Sequence, residues 1–374
     1  MGGSVTLGKI FGIQFRLHYS WFIIFVLITV SLSWQYFPIA YPDWNTSTYW
    51  VVGVFTSLLF FASVLTHELA HSLVGRANGI PVKSITLFIF GGVAHMTREA
   101  TRHSAELKMA AAGPIASLAI AGFFFLLYFS IQNISEQVAA LAFWLAQINA
   151  VLAAFNLIPG FPLDGGRVFR SLLWRFSGNY QRATRIAVYV GQGIGYLFIL
   201  GGLVMIFLFP HNWFNGLWLA FIGWFLTNIA SASYRQAQWQ AALQGIAAKD
   251  IMTSSCPTVS SEVTLDYLVQ EYIFSGGHRC FLVTDDGEMK GIMTLGNIKS
   301  VARADWGSTP VKNVMTPVEK LRAAYPDQDI LSVLEQMDES NINQMPVVNE
   351  GRVIGLITRE NVFRFLHTRS RLGI

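Results

Sequence analysis

Charged residues are scarce in this chain of 374 residues: Asp, Glu, Lys and Arg make up 13% of it, and hydrophobic residues make up 53%. Soluble domains carry about 25% charged residues. The shortage excludes an ordinary soluble protein and predicts membrane helices joined to a more polar part. The net charge is +4. In a chain of this kind, the excess of Lys and Arg indicates membrane topology rather than nucleic-acid binding.

Cysteine is also scarce, since the chain contains only Cys256 and Cys280. Two cysteines do not form a disulfide framework, which excludes a small disulfide-stapled fold and favours a reducing compartment. No cleavage site of small residues follows the first apolar run. We therefore expect that run to be a retained membrane helix rather than a signal peptide.

Six apolar stretches are long enough to form membrane helices. They cover about 17–37, 50–76, 105–131, 138–158, 184–209 and 213–232. Residues 8–18 alternate between apolar and polar side chains, which predicts a short strand. Residues 82–97 are apolar but too short to span a membrane. The Gly91-Gly92 pair permits a tight turn there, which predicts a hairpin dipping into the membrane.

Basic residues are unevenly distributed among the segments between these stretches. Lys and Arg are absent from 38–49, 132–137 and 210–212 and are concentrated in 76–108 and 165–185. Loops rich in Lys and Arg stay on the cytoplasmic side of a membrane. The asymmetry predicts a multi-pass protein of the cell membrane with both termini in the cytoplasm.

A metal-ligand pattern lies near the end of the second apolar stretch. Residues 67–71 are His-Glu-Leu-Ala-His, and the preceding residues 50–66 contain no charge. Residues four apart on a helix lie one above the other, so His67 and His71 can bind one metal ion. Glu68 lies beside the first ligand, where it can accept a proton from a metal-bound water. Ionisable groups inside a membrane segment cost about 2.5–3.5 kcal/mol each on insertion scales, which favours a bound metal over chance.

A third protein ligand is expected, because catalytic zinc sites normally have three protein ligands and a water. The candidate is Asp164, within residues 156–166 (NLIPGFPLDGG). The predicted second and fourth helices both run towards the cytoplasm, which places Asp164 and the two histidines at one depth. The prolines end the fourth helix and leave backbone that can line a wet cavity. The alternative is a carboxylate in an ordinary turn beside Gly165.

These residues together predict metal-assisted hydrolysis of a peptide bond, with one Zn²⁺ per chain. Zinc lowers the pKa of its water towards about 7 and polarises the scissile carbonyl, and the neighbouring glutamate passes the proton to the leaving nitrogen. Asn156 is a candidate donor to the oxyanion, and helix packing is an equally good use of its amide. A helical substrate must unwind before attack. A strand edge from 10–17 or 84–94, including Gly91 and Gly92, can hold the unwound segment by strand addition.

The composition changes near Arg235, where a linker rich in Gln and Ala (236–248) leads into two similar blocks. Residues 250–253 (DIMT) recur as 313–316 (NVMT), and residues 291–297 (GIMTLGN) recur as 355–361 (GLITREN). Each unit of about 63–64 residues mixes a helical stretch with short β-rich runs. The blocks predict a soluble α/β tandem on the cytoplasmic side.

Residues 1–235 resemble the site-2 protease family of intramembrane zinc metalloproteases, through HELAH in one membrane helix and NLIPGFPLDGG in a later one. The resemblance implies zinc bound by His67, His71 and Asp164, with Glu68 as the catalytic residue. It also implies cleavage of a membrane-spanning substrate near the cytoplasmic face, in regulated intramembrane proteolysis. The Phe90-Gly91-Gly92 segment resembles the family's membrane-inserted hairpin.

Residues 249–374 are similar to a pair of cystathionine-β-synthase-type (CBS) domains, with repeats at about 249–305 and 312–368. Such pairs commonly bind adenine nucleotides such as ATP or AMP, and they often dimerise. In many of them Thr-x-x-Asp holds the ribose. Here Thr294 and Thr358 are followed by Asn297 and Asn361, which can bond a ribose hydroxyl but lack the charge. A purely dimerising module is the alternative.

The sequence therefore predicts an all-α polytopic membrane domain of six transmembrane helices with a small membrane-associated β-sheet or hairpin, followed by a cytoplasmic α/β CBS tandem. The predicted function is that of a prokaryotic-type intramembrane zinc metalloprotease regulated by adenine nucleotide. Expected partners are a transmembrane substrate, the lipid bilayer and a second copy of the chain. The alternatives are a CBS-gated channel or transporter and an inactive relative that binds membrane proteins. Glu68 argues against the latter.

Overall fold

The structure is a computed structural model of the chain. The structure describes residues 3–89, 91–96, 100–253, 257–276, 278, 280–340, 342–350 and 352–372. Phe90 of the predicted hairpin and Cys256 lie outside the described residues. The chain divides into two compact units, Met1–Gln238 and Trp239–Ile374.

Among the described residues, six helices are long and apolar enough to cross a membrane, which confirms the predicted number. They are α1 (Ser20–Ala40), α2 (Thr46–Ala77), α3 (His103–Ile131), α4 (Glu136–Asn156), α6 (Tyr180–Leu208) and α7 (Trp213–Leu243), and α5 (Asp164–Ser177) is a shorter helix between α4 and α6. Large apolar side chains such as Phe123, Leu126 and Phe207 are exposed on the spanning helices. In a bilayer these side chains face lipid.

Helix α7 continues beyond the predicted end at residue 232, up to Leu243. Residues 236–243 of the predicted linker are therefore helical. Gln and Ala are good helix formers, so a Gln- and Ala-rich stretch that follows a helix prolongs it. Residues 233–243 contain no Gly, Asn or Pro that would end α7 earlier.

Helix α5 was missed, because residues 165–185 were counted as a basic loop. The helix begins at Asp164 and ends before Gly178, whose φ of 65° closes it in the left-handed region. Its arginines led to the loop assignment, although they recur at helical spacing. The consequence is important for the site, because Asp164 is the first residue of a helix rather than part of an irregular loop.

A four-stranded sheet precedes and follows α2, with the strand order β1-β2-β3-β4. The strands are β1 (Ser4–Ile10), β2 (Ile13–His18), β3 (Val82–Phe88) and β4 (Gly91–Met96). The β2 and β3 strands run parallel, whereas the other pairs are antiparallel. Ile13, Phe15 and Ile85 are buried on one face of the sheet, which packs on Leu65 and Leu69 of α2.

Two details of the predicted strands were wrong. Residues 8–18 are not one strand, because Phe11 and Gly12 have φ of 51° and 78° and form the turn between β1 and β2. Two consecutive positive φ values are typical of a tight hairpin turn. The Gly91-Gly92 pair does not form a turn either. Both glycines begin β4, where Gly91 has a φ of 121°.

The second unit contains two repeats, each with its own core. One core includes Leu265, Phe281 and Met293, and the other includes Ile330, Met345 and Ile357. The first repeat contributes β5 (Thr258–Val259), β6 (Cys280–Asp285), β7 (Glu288–Thr294) and α8 (Leu295–Lys299), and the second contributes β8 (Thr316–Pro317), α9 (Ile330–Glu339), β9 (Gln344–Asn349), β10 (Arg352–Thr358) and α10 (Arg359–Leu372).

The first residues of each repeat pair with a strand of the other repeat. Strand β8, which follows the NVM sequence of the second repeat, pairs with β7 of the first. Thr253 of the first repeat forms the corresponding bridge to Leu356 of the second. The second unit is therefore an intertwined pair, in agreement with the predicted α/β tandem.

Candidate metal centre

Helix α2 places two histidines on one face, one helical turn apart. His67 and His71 are buried, with 4% and 5% of their surface exposed. The helix begins after Asn45, whose side chain accepts a hydrogen bond from the backbone N–H of Thr48, an arrangement that satisfies an otherwise unpaired donor. It then runs without interruption through the histidines to Ala77. Their relative position is consequently fixed by regular helix geometry.

Asp164 reaches the histidines from the first residue of α5. The two glycines that follow it are required by close backbone contacts. A Cβ at Gly165 would overlap the carbonyl oxygen of Leu157, and one at Gly166 would overlap the backbone of Gly160. The glycines therefore allow α5 to start in direct contact with the loop that follows α4. This close start places Asp164 in the site.

The three predicted ligands converge. Oδ2 of Asp164 lies 3.2 Å from Nε2 of His67 and 3.1 Å from Nε2 of His71, and the two nitrogens are 3.1 Å apart. Zinc bonds of about 2.0–2.1 Å in a tetrahedral site place neighbouring ligand atoms roughly 3.3 Å apart. The observed triangle has nearly that edge, so the three atoms fit one face of a zinc tetrahedron.

The outer nitrogen of each imidazole is held by α3. Nδ1 of His71 lies 2.7 Å from the backbone oxygen of Met109. A carbonyl oxygen only accepts, so Nδ1 must donate, and in the neutral ring this leaves a lone pair on Nε2 directed at the triangle. Nδ1 of His67 lies 2.9 Å from Oγ of Ser117. Such outer partners orient metal-binding histidines.

Gly113 of α3 keeps the space beside the triangle open. A Cβ at this position would lie 2.6 Å from Nε2 of His67 and closer still to Nε2 of His71. Real side-chain atoms do not approach one another so closely. The backbone of α3 thus forms a wall of the ligand site that any larger residue would fill.

Charge complementarity also fits a cation. Asp164 brings a carboxylate between the two imidazoles, with Oδ2 at 3.1–3.2 Å from both Nε2 atoms. An ionised carboxylate with two imidazole nitrogens is a donor set that zinc favours.

Glu68 lies next to the triangle and directly beneath β4. A Cβ at Gly92 would overlap Cγ of Glu68 and lie 3.3 Å from its Oε1. Strand β4 therefore crosses the glutamate at contact distance, and only glycine fits there. In the described sheet β4 is an edge strand, paired with β3 on one side.

The remaining predicted residues are placed as follows. Asn156 is the last residue of α4 and is half-buried, and among the described residues its side chain has no hydrogen-bond partner. Gly91 lies beside Gly92 at the start of β4. The sequence reasoning missed Met109, Gly113 and Ser117. The signal was a Gly113-Pro114 pair inside an apolar helix, where glycine usually has a packing or functional reason.

The candidate nucleotide residues of the second unit bond to each other. Oδ1 of Asn297 accepts a 2.6 Å hydrogen bond from the hydroxyl of Thr294, and its Nδ2 donates to the backbone oxygen of Val314 and to Oγ1 of Thr316. In the second repeat, Nδ2 of Asn361 donates to Oγ1 of Thr253, and the hydroxyl of Thr358 accepts from the backbone N–H of Asn361. Each asparagine thus bonds a threonine of the other repeat.

Comparison with known proteins agrees with both units. The sequence model of peptidase family M50 matches residues 55–137 and 129–202, and the CBS domain model matches 248–303 and 311–368. A protein of Synechocystis sp. named as a zinc metalloprotease is 33% identical over 380 residues, which covers 99% of this chain and 97% of that protein. A zinc metalloprotease of Methanocaldococcus jannaschii is 30% identical over 370 residues, 97% of this chain and 96% of that one.

Among solved structures, the site-2 protease from Methanocaldococcus jannaschii is similar over 62% of this chain and 95% of its own, with 28% identity and a TM-score of 0.42. The full-length relatives and the family matches confirm the resemblance to site-2 proteases and to CBS domains that the motifs indicated.

Proposed function

Because the chain belongs to peptidase family M50, a family of zinc metalloproteases, and carries a CBS pair, we propose that it cleaves transmembrane segments of membrane proteins near the cytoplasmic face. The observation that carries the proposal is the convergence of Asp164 with His67 and His71. The two histidines lie beside Glu68 in a helix that is long and apolar enough to span a membrane. A hydrolytic site inside a spanning helix suits a substrate that is itself in the membrane.

We assign the zinc to His67 Nε2, His71 Nε2 and one carboxylate oxygen of Asp164. A bound zinc would supply a Lewis acid and lower the pKa of the attacking water. Ser117 and the Met109 carbonyl hold the imidazoles in orientation, and Gly113 leaves room for the ion. All six residues lie on helices: five lie within α2 or α3, and Asp164 is the first residue of α5.

Glu68 is assigned the proton transfer. It follows His67 directly on α2, and its carboxylate is held beneath Gly92. In the proposed reaction, Glu68 accepts a proton from the attacking water and donates it to the leaving amide nitrogen, so the C–N bond breaks to give a free amine and a carboxylate. General acid–base catalysis of this kind contributes about 10²–10⁴-fold to a rate.

The substrate is proposed to bind as an extended strand along β4. A helical segment has its carbonyls in hydrogen bonds, so cleavage requires local unwinding, and the edge of β4 offers replacement bonds to the unwound backbone. Gly91 and Gly92 lie at the end of this edge nearest to Glu68. Asn156 remains our candidate donor to the oxyanion.

The membrane orientation is part of the proposal. Both termini are assigned to the cytoplasm of a cell membrane, because the basic residues concentrate beside α2, α3 and α5. We assign residues 1–235 to the protease and 249–374 to the regulatory CBS pair. The combination of a membrane protease with a regulatory CBS pair favours a role in regulated intramembrane proteolysis.

Adenine nucleotide is proposed as the regulator, and a second copy of the chain as the partner of the CBS pair. Thr294 and Thr358 lie at the equivalent position of each repeat, at the end of the hairpin. The neighbouring amides of Asn297 and Asn361 are bonded across the repeats. A ribose hydroxyl that replaces one of these bonds would couple the nucleotide to the packing of the two repeats.

The function can be tested with purified protein in lipid nanodiscs and a panel of single-span substrates. We expect cleavage within the spanning segment, inhibition by a zinc chelator and recovery after zinc is added back. Fragments should be mapped by mass spectrometry. Absence of cleavage for the whole panel in a protein shown to contain zinc would favour the inactive binding relative, and zinc-independent ion flux would favour the channel.

A further inference from the structure

A buried ion pair outside the ligand triangle connects the helices that carry the site. Glu106 of α3 is fully buried, and Arg170 of α5 is 5% exposed. Nε of Arg170 donates a 2.7 Å hydrogen bond to Oε1 of Glu106, and a terminal guanidinium nitrogen pairs with the same oxygen. The guanidinium also stacks between the rings of Phe161 and Tyr180, 4.8 Å and 4.7 Å from their centres.

A buried ion pair is weak evidence for stability, because desolvation of two charges offsets most of their attraction. Its geometry, however, is demanding. The planar guanidinium fixes both distance and angle to its partner, and the two flanking rings restrict its plane. The pair therefore holds α5 at one position along α3 more effectively than apolar contacts, which tolerate sliding.

The position of α5 along α3 decides whether the ligands meet. Helix α3 contacts the histidines through Met109, Gly113 and Ser117, and it contacts α5 through Glu106 and through the backbone oxygen of His103, which accepts a 2.7 Å hydrogen bond from Ser171. The same helix thus supports both halves of the site. Along α3 the contacts with α5 come first, and the contacts with the histidines follow about one to three turns later.

Asp164 and Arg170 belong to one continuous helix. A slip of α5 by one turn would move Asp164 by about 5.4 Å, far more than the 3.1–3.2 Å that separate its carboxylate from the two imidazoles. The loop before α5 has no regular secondary structure. Its close backbone contacts at Gly165 and Gly166 restrain the first turn of α5, and the ion pair adds a second restraint further along the same helix.

We propose that Glu106 and Arg170 are positioning residues, which fix α5 against α3 so that Asp164 completes the zinc site. They touch neither substrate nor reacting atoms. The inference rests on the proposed zinc site, and it adds that the third ligand is delivered by this pair rather than by the Asp164 segment alone.

A double-mutant cycle separates positioning from stability. Glu106→Gln or Arg170→Met alone leaves one buried charge without its partner and is expected to lower the melting temperature. The double variant Glu106→Gln/Arg170→Met removes both charges, so stability should largely return. Zinc affinity, measured by competition with a chelator, should remain about 10–100-fold weaker, as for other outer groups of metal sites.

Two further readouts report on α5 itself. In the metal-free protein, hydrogen exchange of residues 164–177 should be faster in the double variant than in wild type. After cobalt substitution, the visible spectrum should change as Asp164 is lost from the metal. The exposed pair Glu262 and Lys312 provides the matched control, because Glu262→Gln/Lys312→Met should alter none of these measurements.

The outcomes are distinct. If wild type itself binds no zinc, the proposed function fails. If wild type binds zinc and a stable double variant binds it equally, with the same cobalt spectrum, the positioning role is overturned. Arg170→Lys covers the case in which the double variant does not fold: it keeps the charge but loses the planar fork, so zinc binding should weaken while the fold persists. Unchanged zinc affinity in this variant would also contradict the proposal.

Discussion

Gly113 on α3 lies against the imidazole of His67, so closely that a Cβ at this position would be 2.6 Å from Nε2. The glycine thus belongs to the metal site without offering a ligand. Glycine stands next to proline in this apolar membrane helix at the point where the backbone of α3 passes in contact with the site, because a larger residue would not fit there.

Gly113→Ala should weaken zinc binding strongly, by at least about 10–100-fold, because the methyl group would occupy space beside both Nε2 atoms. Zinc content after dialysis against a graded chelator measures the effect. Gly122→Ala is the control on the same helix, since a Cβ there meets no atom within 4 Å. Equal zinc affinity in both variants would show that Gly113 does not border the metal.

Gly92→Ala should abolish most cleavage while zinc stays bound. The new Cβ would overlap Cγ of Glu68 and push its carboxylate away from the site. Loss of the general base predicts a fall in kcat of about 10²–10⁴-fold. Gly8→Ala in β1 is the control, because space around it is open. A Gly92→Ala enzyme with normal kcat would refute contact between β4 and the catalytic carboxylate.

Ser117→Ala should reduce zinc affinity more mildly than loss of a ligand. The hydroxyl lies 2.9 Å from Nδ1 of His67 and orients the ring, and outer partners of this kind are worth about 10–100-fold in affinity or activity. Ser130→Ala, at an exposed hydroxyl on the same helix, should have no effect. Zinc titration of both variants decides the matter, and identical curves would leave Ser117 without a role in the site.

ATP should change the cleavage rate of the full chain, and deletion of residues 249–374 should remove the change. Asn297→Ala should reduce the response as well, because its amide joins Val314 and Thr316 to the end of β7. Steady-state rates with and without ATP provide the measurement. An ATP effect that persists after the deletion would assign the nucleotide elsewhere, and a dimer that responds to no nucleotide would support the purely dimerising alternative.

The sequence was sufficient to predict the spanning helices and the convergence of the three candidate ligands, for a physical reason. Long apolar runs have few alternatives in a bilayer, where the backbone must satisfy its own hydrogen bonds. His67 and His71 are set by helix periodicity. Asp164 lies far along the chain, and topology alone suggested that it shares their depth. The structure brings these three residues together.

The groups that the sequence did not reveal depend on contacts between helices. Glu106 and Arg170 carry no local pattern that separates a site residue from ordinary packing or from a basic loop, and the Gly113-Pro114 pair indicates a close approach without indicating the partner. Helix α5 was missed for the same reason, since its arginines suggested a solvated segment although Arg170 is buried. Periodicity reports on which face of an element is apolar, but not on which element it meets.

The zinc assignment and the role of Glu68 are tested together by Glu68→Gln. Glutamine keeps the shape of the side chain but cannot accept the water proton, so the purified variant should retain one zinc per chain and lose cleavage of a single-span substrate. Glu136→Gln, which alters a carboxylate bonded to Trp44 away from the triangle, should cleave normally. A Glu68→Gln protein with full activity, or a wild-type enzyme that cleaves without zinc, would contradict the account.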